Sequence, residues 1–137
     1  MRVLGLDVGS RTIGVAVSDE LGMAAHGVTT LERRGTVKDV GQVRVLCDRY
    51  KTEHIIIGMP YEIDGSEGKR ASRVRVLMEA LQAAGLNVEP WDERFTTVDA
   101  EAVLLEANVS RARRKQVIDQ MAAQMILQGW LDRTKAT

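Results

Sequence analysis

The spacing of apolar positions changes along this chain, and each change marks an element. Arg2–Val8 carries Val3, Leu4, Leu6 and Val8 in one short run, the pattern of a strand buried on both faces. After a Gly9-Ser10 turn, Thr12–Ser18 (TIGVAVS) is β-branched and small, and a third run, Ala25–Leu31 (AHGVTTL), follows a turn at Glu20–Gly22. Such close spacing predicts a three-stranded antiparallel meander. The period then lengthens: Val37, Val40, Val43, Leu46 and Cys47 recur at helical spacing and predict a helix ending near Tyr50. His54–Ile57 returns to strand and stops at Gly58-Met59-Pro60. Val74, Leu77, Met78 and Leu81 predict a helix over Lys69–Ala84 with Gly85 at its C-terminal end. Leu86–Trp91 reads as a fifth strand, Val98–Ala107 as a helix capped by Thr97, and Arg114–Leu131 as a last helix. The order β-β-β-α-β-α-β-α-α predicts an α/β fold: a mixed five-stranded sheet flanked by helices. Strands one to three are antiparallel, strands four and five are parallel through right-handed crossovers, and the first strand lies in the middle.

Composition narrows the class. A length of 137 residues fits a single domain over 1–137, with a mobile loop at Tyr61–Gly68 and a frayed tail at Thr134–Thr137. Hydrophobic residues make up 45% and charged residues 28%, which excludes global disorder. Nineteen Lys+Arg balance nineteen Asp+Glu. That excludes a histone-like basic binder but not a nucleic-acid enzyme, whose carboxylates offset a basic rim. The lone Cys47 excludes a disulfide framework and a cysteine-based zinc site. No apolar run approaches the roughly 18 residues of a membrane span, and Met1–Leu6 is too short for a signal peptide, so the expected compartment is the cytoplasm.

Two carboxylates are out of place for a plain domain. Asp7 sits inside the run taken as the central strand, where a buried carboxylate needs a partner or a site; it either caps the Gly9 turn or marks an active centre. Gly9 and Gly14 bracket that turn and leave room for a ligand to approach the backbone. Ligands of open sheets collect at the carboxyl ends of strands, and Asp7, Gly58-Met59-Pro60 and Asp92-Glu93-Arg94 all fall on that rim. Asp119 shares one narrow arc of the last helix with Ala122, Ala123, Ile126 and Trp130, an inward-facing stripe. It either pairs with a buried arginine or joins the rim. Asp7, Glu93 and Asp119 would then form an all-oxygen triad suited to Mg²⁺ or Mn²⁺ and to attack of water on phosphorus. His26 and His54 read as strand-edge filler and support no histidine-based nucleophile. Cations supply the partner signal: Lys69, Arg70, Arg73 and Arg75 open one helix, and Arg111, Arg113, Arg114 and Lys115 precede Asp119. Arg11 and Arg94 flank two of the carboxylates, and Thr96 and Thr97 are further candidates for phosphate oxygens. Together they fit a track for a nucleic-acid backbone.

Leu4–Asp19 (LGLDVGSRTIGVAVSD), Ile57–Gly68 (IGMPYEIDGSEG), Asp92–Thr97 (DERFTT) and Lys115–Leu131 (KQVIDQMAAQMILQGWL) resemble, in order, the four blocks of the YqgF/RuvX family. That family has the RNase H-like fold and is similar to the RuvC Holliday-junction resolvases. The resemblance implies a metal-dependent nuclease acting in 5′-end maturation of pre-16S rRNA, with Asp7, Glu93 and Asp119 at the family's acidic positions. It departs from the family at Thr12, where many members carry a basic residue. Three other readings remain. One is a junction-specific DNA resolvase, which needs a dimer face, for which Met121 and Met125 are the candidates; the chain otherwise reads as a monomer or weak homodimer. Another is a non-catalytic nucleic-acid-binding module on precursor ribosomes. The last, an actin-like phosphotransferase, needs two such domains and fails on length.

Overall fold

The sheet has the order β3-β2-β1-β4-β5. Its strands are β1 (Leu4–Val8), β2 (Thr12–Ser18), β3 (Ala25–Glu32), β4 (His54–Met59) and β5 (Asn87–Asp92). Among the described residues three α-helices accompany it: α1 (Thr36–Tyr50), α2 (Lys69–Ala83) and α3 (Arg111–Lys135). The computed structural model describes residues 1–95 and 111–135. The helix expected over Val98–Ala107, its cap Thr97, and Thr96 lie outside the described residues. β2 pairs antiparallel with β1 and β3, while β4 runs parallel to both β1 and β5, as the order of elements predicted.

Alternation along β1 sorts the molecule into two layers. Leu4 and Leu6 point to one face with Ile13, Val15, Ile55, Ile57 and Met59, and α1 and α2 cover them with Val43, Leu46, Leu77 and Leu81. Gly5 and Asp7 point to the other face, which α3 covers with Ala123, Ile126, Leu127 and Leu131.

Two boundaries differ from expectation. β4 continues through Gly58 and Met59, which pair with Trp91 and Asp92, so the glycine sits inside the strand. The reason is crowding: a Cβ at Gly58 would collide with Ile126 and lie 2.5 Å from Glu93 Oε1. α3 runs through Thr134 and Lys135, where the Thr134 hydroxyl donates to the Trp130 carbonyl at 2.8 Å. The tail expected to fray from Thr134 is therefore helical as far as Lys135. The Tyr61–Gly68 loop, expected to be mobile, contains a hydrogen-bonded turn. Glu62 N–H donates to Ser66 O, Gly65 N–H to Glu62 O, and Ser66 bonds the Asp64 carboxylate through both its N–H and its hydroxyl.

Candidate active site

The three carboxylates arrive from three elements on the α3 face of the sheet. Asp7 is the fourth residue of β1 and pairs with Gly14 of β2. Glu93 begins a 3₁₀ turn (Glu93–Phe95) directly after β5. Asp119 lies in α3. What brings α3 down onto the acids is Gly14. A Cβ there would overlap the Asp119 carbonyl, so the helix backbone rests on the bare strand. The room that Gly14 leaves is thus filled by α3, and the expectation that it admits a ligand is corrected. The small residues permitting close approach belong to the sheet as much as to the helix. At Gly5 a Cβ would lie 2.7 Å from Leu127 Cβ. The Thr12 hydroxyl then donates to Asp119 Oδ2 at 2.7 Å and fixes that side chain, a bond spanning 107 residues of sequence.

Asp7 and Glu93 lie close enough for each to shift the other's titration. Glu93 is pushed up to about 8, first by burial and then by the negative Asp7 beside it; the nearby Arg70 guanidinium opposes this. Burial also raises Asp7, and Asp119 adds to the rise; the neighbouring Glu93 carboxyl and the charge of Arg70 pull it back. Two carboxyls that cannot both be charged at neutral pH without a cation or a proton between them are suitable donors for a hard divalent metal. Among the described residues, no group of three His, Cys, Asp or Glu is drawn together closely enough to hold an ion. Asp119 is close enough for Asp7 to feel its charge, but it is held by Thr12. The donor set thus fits a cation carried by Asp7 and Glu93, with Asp119 as the outlying third carboxylate.

The expected cations fall into distinct positions. Lys69, Arg70 and Arg73 are exposed on the first turns of α2, and Arg11 is exposed on the β1–β2 turn. Arg75 is paired with Glu67. Arg94, expected to hold phosphate, is committed elsewhere. Its Nε and Nη2 engage both oxygens of Asp92, its Nη1 donates to the Ile63 carbonyl at 3.0 Å, and its guanidinium lies 5.9 Å from the Tyr61 ring centre. It ties the 61–68 turn to the end of β5. Arg113 is exposed at the start of α3; the side chains of Arg111, Arg114 and Lys115 lie outside the described residues. His26 is exposed on β3. His54 is more than filler: it hydrogen-bonds Glu89 and meets Trp130 edge-on at 5.2 Å.

Sequence reasoning missed one pair. Asp39, in the first turn of α1, is fully buried and accepts from Arg33 Nε at 3.1 Å and Arg34 N–H at 2.8 Å. Arg33 Nη1 then reaches the Gly9 carbonyl at 3.1 Å. An acidic residue opening a helix just after two arginines was the available signal.

A central strand ending in a carboxylate, a second acid after the last strand and a third on the covering helix define an RNase H-like nuclease domain. The chain belongs to the RuvX family: the model of that family, described as Holliday junction resolvase, matches residues 1–133. It is accordingly a nuclease, a hydrolase acting on phosphodiester bonds. Relatives named "Putative pre-16S rRNA nuclease" include one from Myxococcus xanthus, 52% identical over 96% of this chain and 88% of the relative. Another, from Moorella thermoacetica, is 53% identical over 97% of this chain and 96% of its own length. Among solved structures, T. thermophilus RuvC in complex with Holliday junction substrate matches with a TM-score of 0.60. It covers 100% of this chain and 97% of that one at 16% identity, which shows the shared fold.

Proposed function

We propose that this chain is a divalent-metal-dependent nuclease that cleaves precursor rRNA during 5′-end maturation of 16S rRNA in the cytoplasm, acting as a single domain. The observation that carries the reading is the neighbouring, largely buried Asp7 and Glu93 at the carboxyl ends of β1 and β5, with Arg70 near both. Asp7 and Glu93 would hold Mg²⁺ or Mn²⁺, with Asp119 completing the set. A bound divalent cation lowers the pKa of water and neutralises charge building on phosphorus. Thr12 keeps Asp119 aimed at the site. The desolvation that raises Asp7 and Glu93 excludes bulk water and strengthens every interaction inside. Lys69, Arg70, Arg73, Arg11 and Arg113 present cations to the phosphate backbone, and Thr96, Arg114 and Lys115 would extend that track. The names of the relatives support RNA over branched DNA.

The test is cleavage of labelled precursor rRNA, single-stranded DNA and four-way junctions with Mg²⁺, with Mn²⁺ and with EDTA. RNA should be cut in metal and spared in EDTA, and Asp7→Asn should lower the rate about a hundredfold or more while the fold persists. Preferential cutting of junctions would favour the resolvase reading. Binding without cleavage of any substrate would leave a non-catalytic module.

A further inference from the structure

We propose that the cleft between the β1–β2 turn and α2 receives one terminal phosphate of a nucleic-acid strand, a phosphomonoester dianion. The cleft measures about 240 Å³ and is walled by Gly9-Ser10, Arg33, Arg70 and Arg73 over Val8 and Val74. That is smaller than the roughly 300–1,000 Å³ of a pocket for a drug-sized ligand, and it has room for a terminal phosphate with part of its nucleotide.

The three guanidinia differ in their freedom. Arg33 is fixed by buried Asp39 at its Nε and by the Gly9 carbonyl at Nη1, with its side chain only 17% exposed. It is a preset donor, and Asp39 balances its charge. Arg70 and Arg73 have no ion-pair partner among the described residues. Arg73, Arg70 (whose charge also reaches Asp7 and Glu93) and the preset Arg33 fork together match a dianion better than the single charge of an in-strand diester.

The cleft also has a fixed position. Gly9 lies two residues beyond Asp7, and Arg70 is near enough to lower both Asp7 and Glu93. A strand end seated here would set the distance from terminus to cleavage point. This inference rests on the proposed nuclease reading for the nature of the strand, but binding can be measured without cleavage.

The experiment measures binding of one short RNA in three forms: 5′-phosphate, 3′-phosphate and hydroxyl at both ends. It is done in EDTA at fixed salt, with wild type, Arg73→Gln and Arg33→Gln. Arg70 is left unchanged because it faces the acids. In wild type, a phosphate on one end should tighten binding about tenfold over the hydroxyl form. That preference should fall toward one in Arg73→Gln, whose exposed position carries no folding load, and in Arg33→Gln if its melting curve remains cooperative. The end that responds identifies the terminus received. No preference in wild type, or a preference that survives Arg73→Gln, overturns the inference. So does an equal loss for all three RNAs, which would assign the cleft to in-strand phosphates. Cleavage of the hydroxyl-ended RNA in Mn²⁺ reports separately on the nuclease reading, so either can fail alone.

Discussion

The two faces of the sheet are built from the same strands by opposite means. Toward α1 and α2, the strands present Leu4, Leu6, Ile55 and Ile57, all fully buried, and large side chains keep the helices at a distance. Toward α3 they present Gly5, Gly14 and Gly58, and the helix backbone comes down onto the strands. The first face supplies cohesion through buried apolar area. The second gives some of that up, and in return Asp119 of the helix comes near enough for Asp7 to feel its charge. The comparison shows how one sheet can separate stability from chemistry: alternation along β1 sends Leu6 to one side and Asp7 to the other.

The sharpest break is Gly14→Ala. A single methyl would force α3 off β2, costing about 3 kcal/mol or more in stability and moving Asp119 away from Asp7. Leu77→Ala, on the opposite face, should cost a comparable amount, about 2–5 kcal/mol, through a cavity, yet leave nuclease activity per folded molecule intact. Denaturant melts paired with turnover per folded molecule separate the two. Equal loss of turnover in both variants would show that the faces are not independent.

A smaller effect sharpens the same contrast through pH. In metal-free protein, Glu93 keeps its proton to about pH 8, whereas its ordinary value is 4.5. Between these values the fold binds more protons than the unfolded chain, so stability should fall as pH rises from about 4.5 to 8. The slope from one proton is at most about 1.4 kcal/mol per pH unit. Asp7, also raised, acts in the same direction. Melting in EDTA across this range should show the slope in wild type and lose most of it in Glu93→Gln, and Mg²⁺ or Mn²⁺ should flatten it. The smallest effect belongs to Thr12→Val, which removes the bond to Asp119 without changing volume much. Turnover should fall about three- to tenfold with KM nearly unchanged, the mark of a positioning residue.

Much of the architecture was legible because alternation and helical spacing are local signals. The five strands, their directions and the central place of β1 follow from where apolar runs switch period. Gly58 misled because a glycine before Met-Pro reads as a turn; only the crossing of α3 and the Glu93 carboxylate explain a glycine inside β4. Gly14 misled in the same way, since space beside a backbone does not reveal what fills it. Arg94 reads as a free cation in sequence, yet Asp92, two residues earlier, and the Ile63 carbonyl take up its donors. The Arg33–Asp39 pair stayed hidden because nothing in a first helical turn tells a buried carboxylate from a solvated one.

The Thr12–Asp119 bond has a consequence in time. Residues 12 and 119 are joined only after α3 has packed, and α3 is translated after all five strands. A nascent chain that has emerged only through the 3₁₀ turn after β5 already carries Asp7 and Glu93, but Asp119 is missing and the Gly14 seat is empty. Chain elongation at about 5–20 residues per second separates these stages by seconds. A nuclease built in this order thus emerges from the ribosome with its third carboxylate still to come, and only the finished molecule carries all three.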